Sequence, residues 1–218
     1  MKCIVTAGPT YEPLDGVRRL TNFSTGRLGS ELADFLAGRG HDTTLLIGQQ
    51  ATYRGERRVR RVETFTTTAD LQGHLQALAG PGVDAVFHAA AVSDFTVGKV
   101  WRRAPRGELT EIHAGKLPTR QGTLLVELAP TPKIIAELRE WFPQAWLVGW
   151  KYEVEGGRGE VIRRAQRQIA ECRTDACVAN GPAYGAGFGL VKGDGPVTHL
   201  GDAAALFAAL EEFIRATS

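Results

Sequence analysis

Asn22-Phe23-Ser24-Thr25-Gly26-Arg27 sets a neutral amide, two hydroxyls, a glycine and a cation directly ahead of the helical spacing Leu28, Leu32, Phe35 and Leu36. Those types at that place suit phosphate. The first turn of a helix carries unpaired N–H groups and the positive end of the macrodipole. Ser24 and Thr25 add hydroxyl donors, Gly26 lets the backbone come close, and Arg27 brings a full charge. The same Ser and Thr also serve as a plain helix cap, a role compatible with phosphate binding. The run is neither G-x-G-x-x-G nor G-x-x-x-x-G-K-[ST], both of which turn tightly after a strand. Here Ala7 to Phe23 intervene, with Gly8-Pro9-Thr10, Glu12, Asp15 and Arg18 among them. So long an approach predicts a site that handles more than one ligand.

Other chemistry follows further along. In Ala89-Ala90-Ala91-Val92-Ser93-Asp94 the alanines leave room for a base against the backbone, and Asp94 suits Mg²⁺-bound phosphate. A turn cap is the plainer role for Asp94, and a self-satisfied turn the plainer one for Asn22. Lys116 and Lys151 are cations at a loop and at a strand end. A solvated lysine, or one snorkelling from a sheet edge, accounts for either without chemistry.

A parallel sheet positions these residues. Apolar runs at Cys3–Thr6, Thr43–Ile47, Val83–His88, Leu124–Leu128, Trp146–Trp150 and Ala176–Ala179 alternate with helical patterns. Those patterns span Leu28–Ala37, Ala69–Leu78, Lys133–Trp141, Val161–Cys172 and Ala203–Ile214. The predicted class is α/β: a doubly wound, mostly parallel, Rossmann-like sheet with helices on both faces. Such sheets bind ligands at their strand carboxyl ends near a switch point, which is where the polar motifs fall. One domain over 1–218 is expected. Within it, 95–122 breaks the rhythm and reads as a flap or dimerisation arm.

Composition narrows the class. With 218 residues, 43% hydrophobic, 23% charged and net charge +2, the chain has the make-up of a globular enzyme. The basic clusters Arg57, Arg58, Arg60, Arg61 and Arg102, Arg103, Arg106 lack interleaved aromatics, so no nucleic-acid partner is expected. Cys3, Cys172 and Cys177 have no metal-type spacing, and Cys3 and Cys177 read as small core residues. A strand begins at once and no apolar run spans a bilayer, so a cytoplasmic protein without a membrane partner is expected.

Together these motifs resemble phosphopantothenoylcysteine synthetase, the ligase of coenzyme A biosynthesis, in its free-standing bacterial form. The likeness runs through Thr6–Thr10 with Glu12 and Asp15, Thr21–Gly26 and Ala89–Phe95. It continues through Lys116-Leu117, Thr131–Ile135, Val148–Lys151 and Val178–Asn180. It implies that 4′-phosphopantothenate is joined to cysteine through an acyl-nucleotidyl intermediate, with CTP or ATP as co-substrate and Mg²⁺ as cofactor. It also implies a homodimer whose arms close across the pair. Asn22 and Lys116 would be catalytic, Asn22 at the acyl group and Lys116 at the departing pyrophosphate. Ser24, Thr25, Gly26, Arg27, Ala89, Ala90, Asp94, Lys116, Trp150 and Lys151 would hold the nucleotide, with Asp94 also meeting the metal. Gly8, Thr10, Asn22 and Ala91 would line the substrate site.

Phe23 stands where the family commonly has His, and Gln168 and Cys172 where fused enzymes carry lysines that help bind CTP. Lys99 competes with Lys116 for the flap role. No flavin-binding decarboxylase domain accompanies the ligase part, so that step is expected on a separate chain. Two rivals stay open: a non-catalytic nucleotide sensor, and a nicotinamide-dependent reductase, which lacks its acid after Leu46-Ile47-Gly48-Gln49.

Overall fold

Near-continuous apolar strands build a sheet that is buried on both faces, and alternation within each strand decides which face a residue joins. The computed structural model describes residues 1–56, 58–113, 115–117, 122–193 and 195–216; Arg57 of the first basic cluster lies outside them. The chain begins with β1 (Lys2–Ala7), a short hairpin of β2 (Tyr11–Pro13) and β3 (Arg19–Thr21), and α1 (Arg27–Gly38). Next come β4 (Asp42–Gly48), β5 (Arg61–Phe65), α2 (Thr68–Ala77) and β6 (Ala85–His88). The arm holds β7 (Phe95–Arg103), β8 (Leu109–Glu111) and β9 (Thr123–Pro130). The remainder is α3 (Ile134–Trp141), β10 (Trp146–Tyr152), α4 (Arg158–Cys172), β11 (Ala176–Asn180), β12 (Phe188–Val191), β13 (Thr198–Leu200) and α5 (Ala203–Arg215).

The main sheet has eight strands in the order β13-β12-β11-β10-β6-β1-β4-β5. Strands β11 to β5 in that order are parallel, and β12 and β13 close one edge antiparallel. Chain order reverses direction between β1 and β6, which places the switch point there. Thr6, His88 and Gly149 are register partners across β1, β6 and β10. On one face Cys3, Val5, Phe87 and Val148 pack with Leu32, Leu36, Leu206 and Leu210 of α1 and α5. On the other, Ile4, Val86 and Leu147 pack with Leu71, Leu75, Leu138 and Phe142 from α2, α3 and the turn after it. α4 covers Cys177 and Ala179 on that same side.

The five helices fall where the periodicity puts them, within three residues at each end. Leu124–Leu128 does not belong to the main sheet. It forms β9 of a separate three-stranded antiparallel sheet, β8-β7-β9, so the arm is a folded hairpin unit that extends through Pro130. Two physical features hide it from the sequence. Most of β9 is exposed on both faces, so no apolar–polar alternation marks it. A bulge between Val97 and Val100 also shifts the period of β7 by one residue. All three cysteines are free and buried, and burial pushes the thiols of Cys3 and Cys177 up to about 12. They are protonated core groups rather than nucleophiles or ligands.

Candidate functional site

The loops that leave β1 and β6 are laced together over the switch point. Pro9 and Ala91 form a parallel bridge; Ala91 N donates to Gly8 O at 2.9 Å, and Thr10 N to Ala91 O at 3.2 Å. Thr10 is fully buried, and its hydroxyl accepts from Ser93 N at 2.8 Å while donating to Ser93 Oγ at 3.1 Å. Thr10 and the Ala91 backbone therefore tie the loops to each other. Asn22, at the end of the β2–β3 hairpin, is exposed and caps this lacework. Its Nδ2 donates to Ala91 O at 3.1 Å and to Val92 O at 3.3 Å. Both amide hydrogens are thus engaged, and Oδ1 is the free group.

Three loops meet on small residues beside it. Gly8 and Gly26 each adopt φ of 76°, and a Cβ at either would press on Ala51, which follows β4. A side chain at Gly48 would run into the Pro9 carbonyl. Only glycine lets these backbones close up. Gly26 is also the N-cap of α1, where the expected Ser or Thr cap does not form: no side chain caps the helix and its first turn holds no acid. Among the described residues Thr25 Oγ1 accepts only from Arg27 N, at 3.3 Å. The helix end is left open to an anion. Arg27 itself is exposed and turned along the helix, its Nε 2.7 Å from Glu31 Oε1.

On the α3–α4 face lies a cavity of about 480 Å³, lined among others by His88, Asp94, Lys133, Lys151, Arg167 and Gln168. Lys151 Nζ sits 3.2 Å from Glu153 Oε1, and Arg164 pairs with Glu153 as well. Among the described residues Lys133 and Arg167 make no ion pair, and the Asp94 carboxylate has no partner. Glu171, which also lines the cavity, makes no ion pair among these residues either, so the rim carries two uncompensated cations and two uncompensated carboxylates. Trp150 does not line it. Adjacent residues of β10 face opposite ways, so Lys151 points to the cavity while Trp150 packs into the core under α1 and α5, its indole N–H buried without a partner. Its indole therefore lies on the opposite side of β10 from this cavity.

The arm lysines differ. Lys99 sits in the bulge and pairs with Glu111 at 3.6 Å. Lys116 is exposed, and its side chain has no partner among the described residues, yet its backbone is held on both sides. Gly16 N donates to Gly115 O at 2.8 Å, Leu117 N donates to Asp15 Oδ2 at 3.0 Å, and Arg18 Nη2 donates to Leu117 O at 2.7 Å. Asp15 also takes Arg18 Nε and Nη2 and the N–H groups of Val17 and Arg18. Burial opposes the charge, but these donors hold its carboxyl well below the usual range. The hairpin that ends at Asn22 thereby clasps the Lys116 segment. Sequence reasoning passed over His88, Lys133 and Arg167. Gln168 stood out only by its place in the resemblance, because the cavity it lines with Arg167 needs the fold to exist.

Fold and site define the class: a doubly wound α/β protein whose polar cleft lies at the topological switch point, with a folded arm beside it. The chain belongs to the DNA/pantothenate metabolism flavoprotein C-terminal domain family, whose model matches residues 1–202. It is 34% identical over 179 residues to the Coenzyme A biosynthesis bifunctional protein CoaBC of Thermococcus kodakarensis, covering 82% of this chain and 41% of that protein. The chain thus spans about two fifths of that relative's length. In fold it is similar to the crystal structure of the DNA/pantothenate metabolism flavoprotein from Streptococcus pneumoniae, with a TM-score of 0.87, 24% identity and full coverage of both chains. A Cab2 variant in complex with phosphopantothenate-cysteine shares the fold at a TM-score of 0.71 and 18% identity, over 98% of this chain and 87% of that one.

Proposed function

We propose that this chain is a phosphopantothenate–cysteine ligase, activating the 4′-phosphopantothenate carboxylate with CTP or ATP and passing the acyl group to the cysteine amine. One observation carries the reading. Asn22, the open end of α1, the Asp94–Lys151 cavity and the clasped Lys116 segment are tied to one edge of one sheet, in a chain whose family relatives are named for coenzyme A biosynthesis. The name of the Cab2 complex, phosphopantothenate-cysteine, supports the substrate class.

Bringing a carboxylate onto a triphosphate concentrates negative charge, which needs fixed donors and cations. The α1 end with Ser24, Thr25 and Gly26, together with Lys133, Lys151 and Arg167, supplies them, and Arg27 joins once it leaves Glu31. Lys116 brings an unneutralised charge to the departing pyrophosphate. Asn22, anchored through Nδ2, offers Oδ1 to the attacking amine and so acts at the acyl-transfer step. Among the described residues no three His, Cys, Asp or Glu side chains cluster to hold a metal. Mg²⁺ would be held by phosphate oxygens and the unpaired carboxylate of Asp94 at the strand end. When bound, it neutralises charge on those oxygens.

Pyrophosphate release tests the reading. Protein with Mg²⁺, CTP, 4′-phosphopantothenate and cysteine is expected to form the amide and release CMP and pyrophosphate. Background release with both CTP and ATP defeats it, and points to the sensor reading if nucleotide still binds.

A further inference from the structure

His88 lies at the end of β6 and lines the cavity, next to Ala89 and Ala90. The hydrogen bonds around it assign the ring's tautomer. Thr6 is fully buried, and its Oγ1 already accepts the Ala90 N–H at 3.1 Å. Among the described residues the hydroxyl hydrogen then has His88 Nδ1, at 3.0 Å, as its acceptor. A Thr hydroxyl that donates to Nδ1 leaves the proton of the neutral imidazole on Nε2. Burial lowers the His88 pKa from 6.5 to about 4, so the ring stays neutral at ordinary pH. Nε2–H has no partner in the protein among the described residues.

The floor around it is otherwise apolar or amide. Gly149 is the register partner of His88 on β10, and a Cβ there would stand 2.5 Å from Gln168 Nε2 and 2.6 Å from Ile135 Cδ1. Gln168 Nε2 donates to Cys177 Sγ at 3.4 Å, which leaves Oε1 open as an acceptor. Neutral donor and neutral acceptor thus lie deep, while Lys133, Lys151 and Arg167 stand at the rim. A phosphate is matched by the charged rim; a neutral donor in a desolvated floor matches an uncharged ring nitrogen or carbonyl.

We infer that His88 reads the base of the bound nucleotide, its Thr6-fixed Nε2–H donating to an uncharged acceptor on the ring at the floor of this cavity. The inference rests on the nucleotide-using reading above and extends it to one specificity-determining residue. Gln168 Oε1 is placed to accept from the same base edge, an amine on cytosine or adenine.

The test is ¹⁵N-histidine NMR of the whole chain at neutral pH, with CTP, pyrophosphate and 4′-phosphopantothenate added separately. The expected result is a His88 ring protonated at Nε2 whose signal moves with CTP and with neither of the other two. An Nδ1–H tautomer, a response to phosphopantothenate alone, or silence toward every nucleotide overturns the assignment. In parallel, His88→Phe is expected to weaken CTP binding by about tenfold, with His88→Gln recovering most of it and pyrophosphate affinity unchanged. Wild type that releases pyrophosphate while His88→Phe keeps full CTP affinity sinks the inference and leaves the ligase standing. Wild type that releases none sinks the ligase, and the imidazole signal still decides whether a base is read.

Discussion

Charge and its neutralisation separate the residues at the finest scale. Lys99 already has Glu111, whereas Lys116 is held by its backbone with its ammonium free. Lys116→Gln is therefore expected to leave CTP binding near wild type and lower pyrophosphate release by several orders of magnitude, a transition-state effect. Lys99→Gln should be nearly silent, and single-turnover release on both variants decides between them. Asp15 acts through that lysine as a positioning residue. Asp15→Asn keeps a partner for one N–H but loses the charged fork to Arg18, so kcat should fall while the KM for CTP holds; an equal rise in KM argues for general unfolding instead. His88 gives a pH signature. Its folded pKa is depressed from 6.5 to about 4, so the unfolded chain binds the extra proton between those values, and its stabilising effect is present above pH 6.5 and lost on acidification toward 4. Relative to His88→Gln, wild type should lose on the order of 3 kcal/mol between pH 7 and pH 4, read from urea midpoints. At this scale the sequence told much. Asn22, the 24–27 run, Asp94 and Lys151 come to one edge because each ends or begins an element. Trp150 and Lys151 part company because strand alternation, not proximity in sequence, decides what a residue faces. His88 was silent because a histidine inside an apolar run reads as core.

Elements carry the placement of those groups, and α1 depends on how closely it approaches β1. A Cβ at Gly29 would stand 2.6 Å from that of Ala7 and 3.0 Å from the Thr6 carbonyl. Gly29→Ala must push the helix outward, with an overpacking cost of about 1–3 kcal/mol expected in the urea midpoint. Because the α1 end moves with it, nucleotide affinity should drop too, whereas a change at Gly38, which has nothing near it, should leave affinity alone. Unchanged CTP binding in a destabilised Gly29→Ala protein would separate α1 from the phosphate site. The helices and central strands were legible because burial on one face imposes a period, and both layers of the core obey it. The arm was not: a thin sheet exposed on both sides has no period to show, and the bulge at Gly98 and Lys99, where Lys99 N donates to Glu127 Oε2 at 2.9 Å, breaks what alternation remains. β5 and β13 are short edge strands whose mostly exposed, polar residues read as loop for the same reason.

At the scale of the whole molecule, the arm presents a face that one chain leaves uncovered. Directly paired residues of β7 and β9 share a face, which sets Phe95 opposite Pro130 and Val97 opposite Leu128, with Val126 next in line. Phe95, Val126 and Leu128 are 45%, 37% and 49% exposed, while the molecule as a whole carries a net charge of only +2. Contiguous apolar side chains on a strand pair mark a contact surface rather than a solvated one. We propose a second copy as the occupant, in the twofold arrangement that lets one patch meet itself. A stable pair needs about 800 Å² buried per partner, so the arm must bring the hairpin with Val17 and Leu20, or the fully exposed Phe23, into the contact as well. That requirement makes the prediction specific. Light scattering behind size exclusion should give twice 23.6 kDa for wild type at micromolar concentration, and Leu128→Glu, which buries a charge against its own copy, should shift the protein to the monomer with its melting temperature nearly unchanged. Because Lys116 hangs from the same arm, pyrophosphate release by the Leu128→Glu monomer should fall while CTP binding to the α3–α4 cavity persists. A wild-type monomer, or a Leu128→Glu dimer, shows that this face meets something other than its own copy. A fully active monomer shows instead that each chain closes its own site, with the Asp15 clasp alone presenting Lys116.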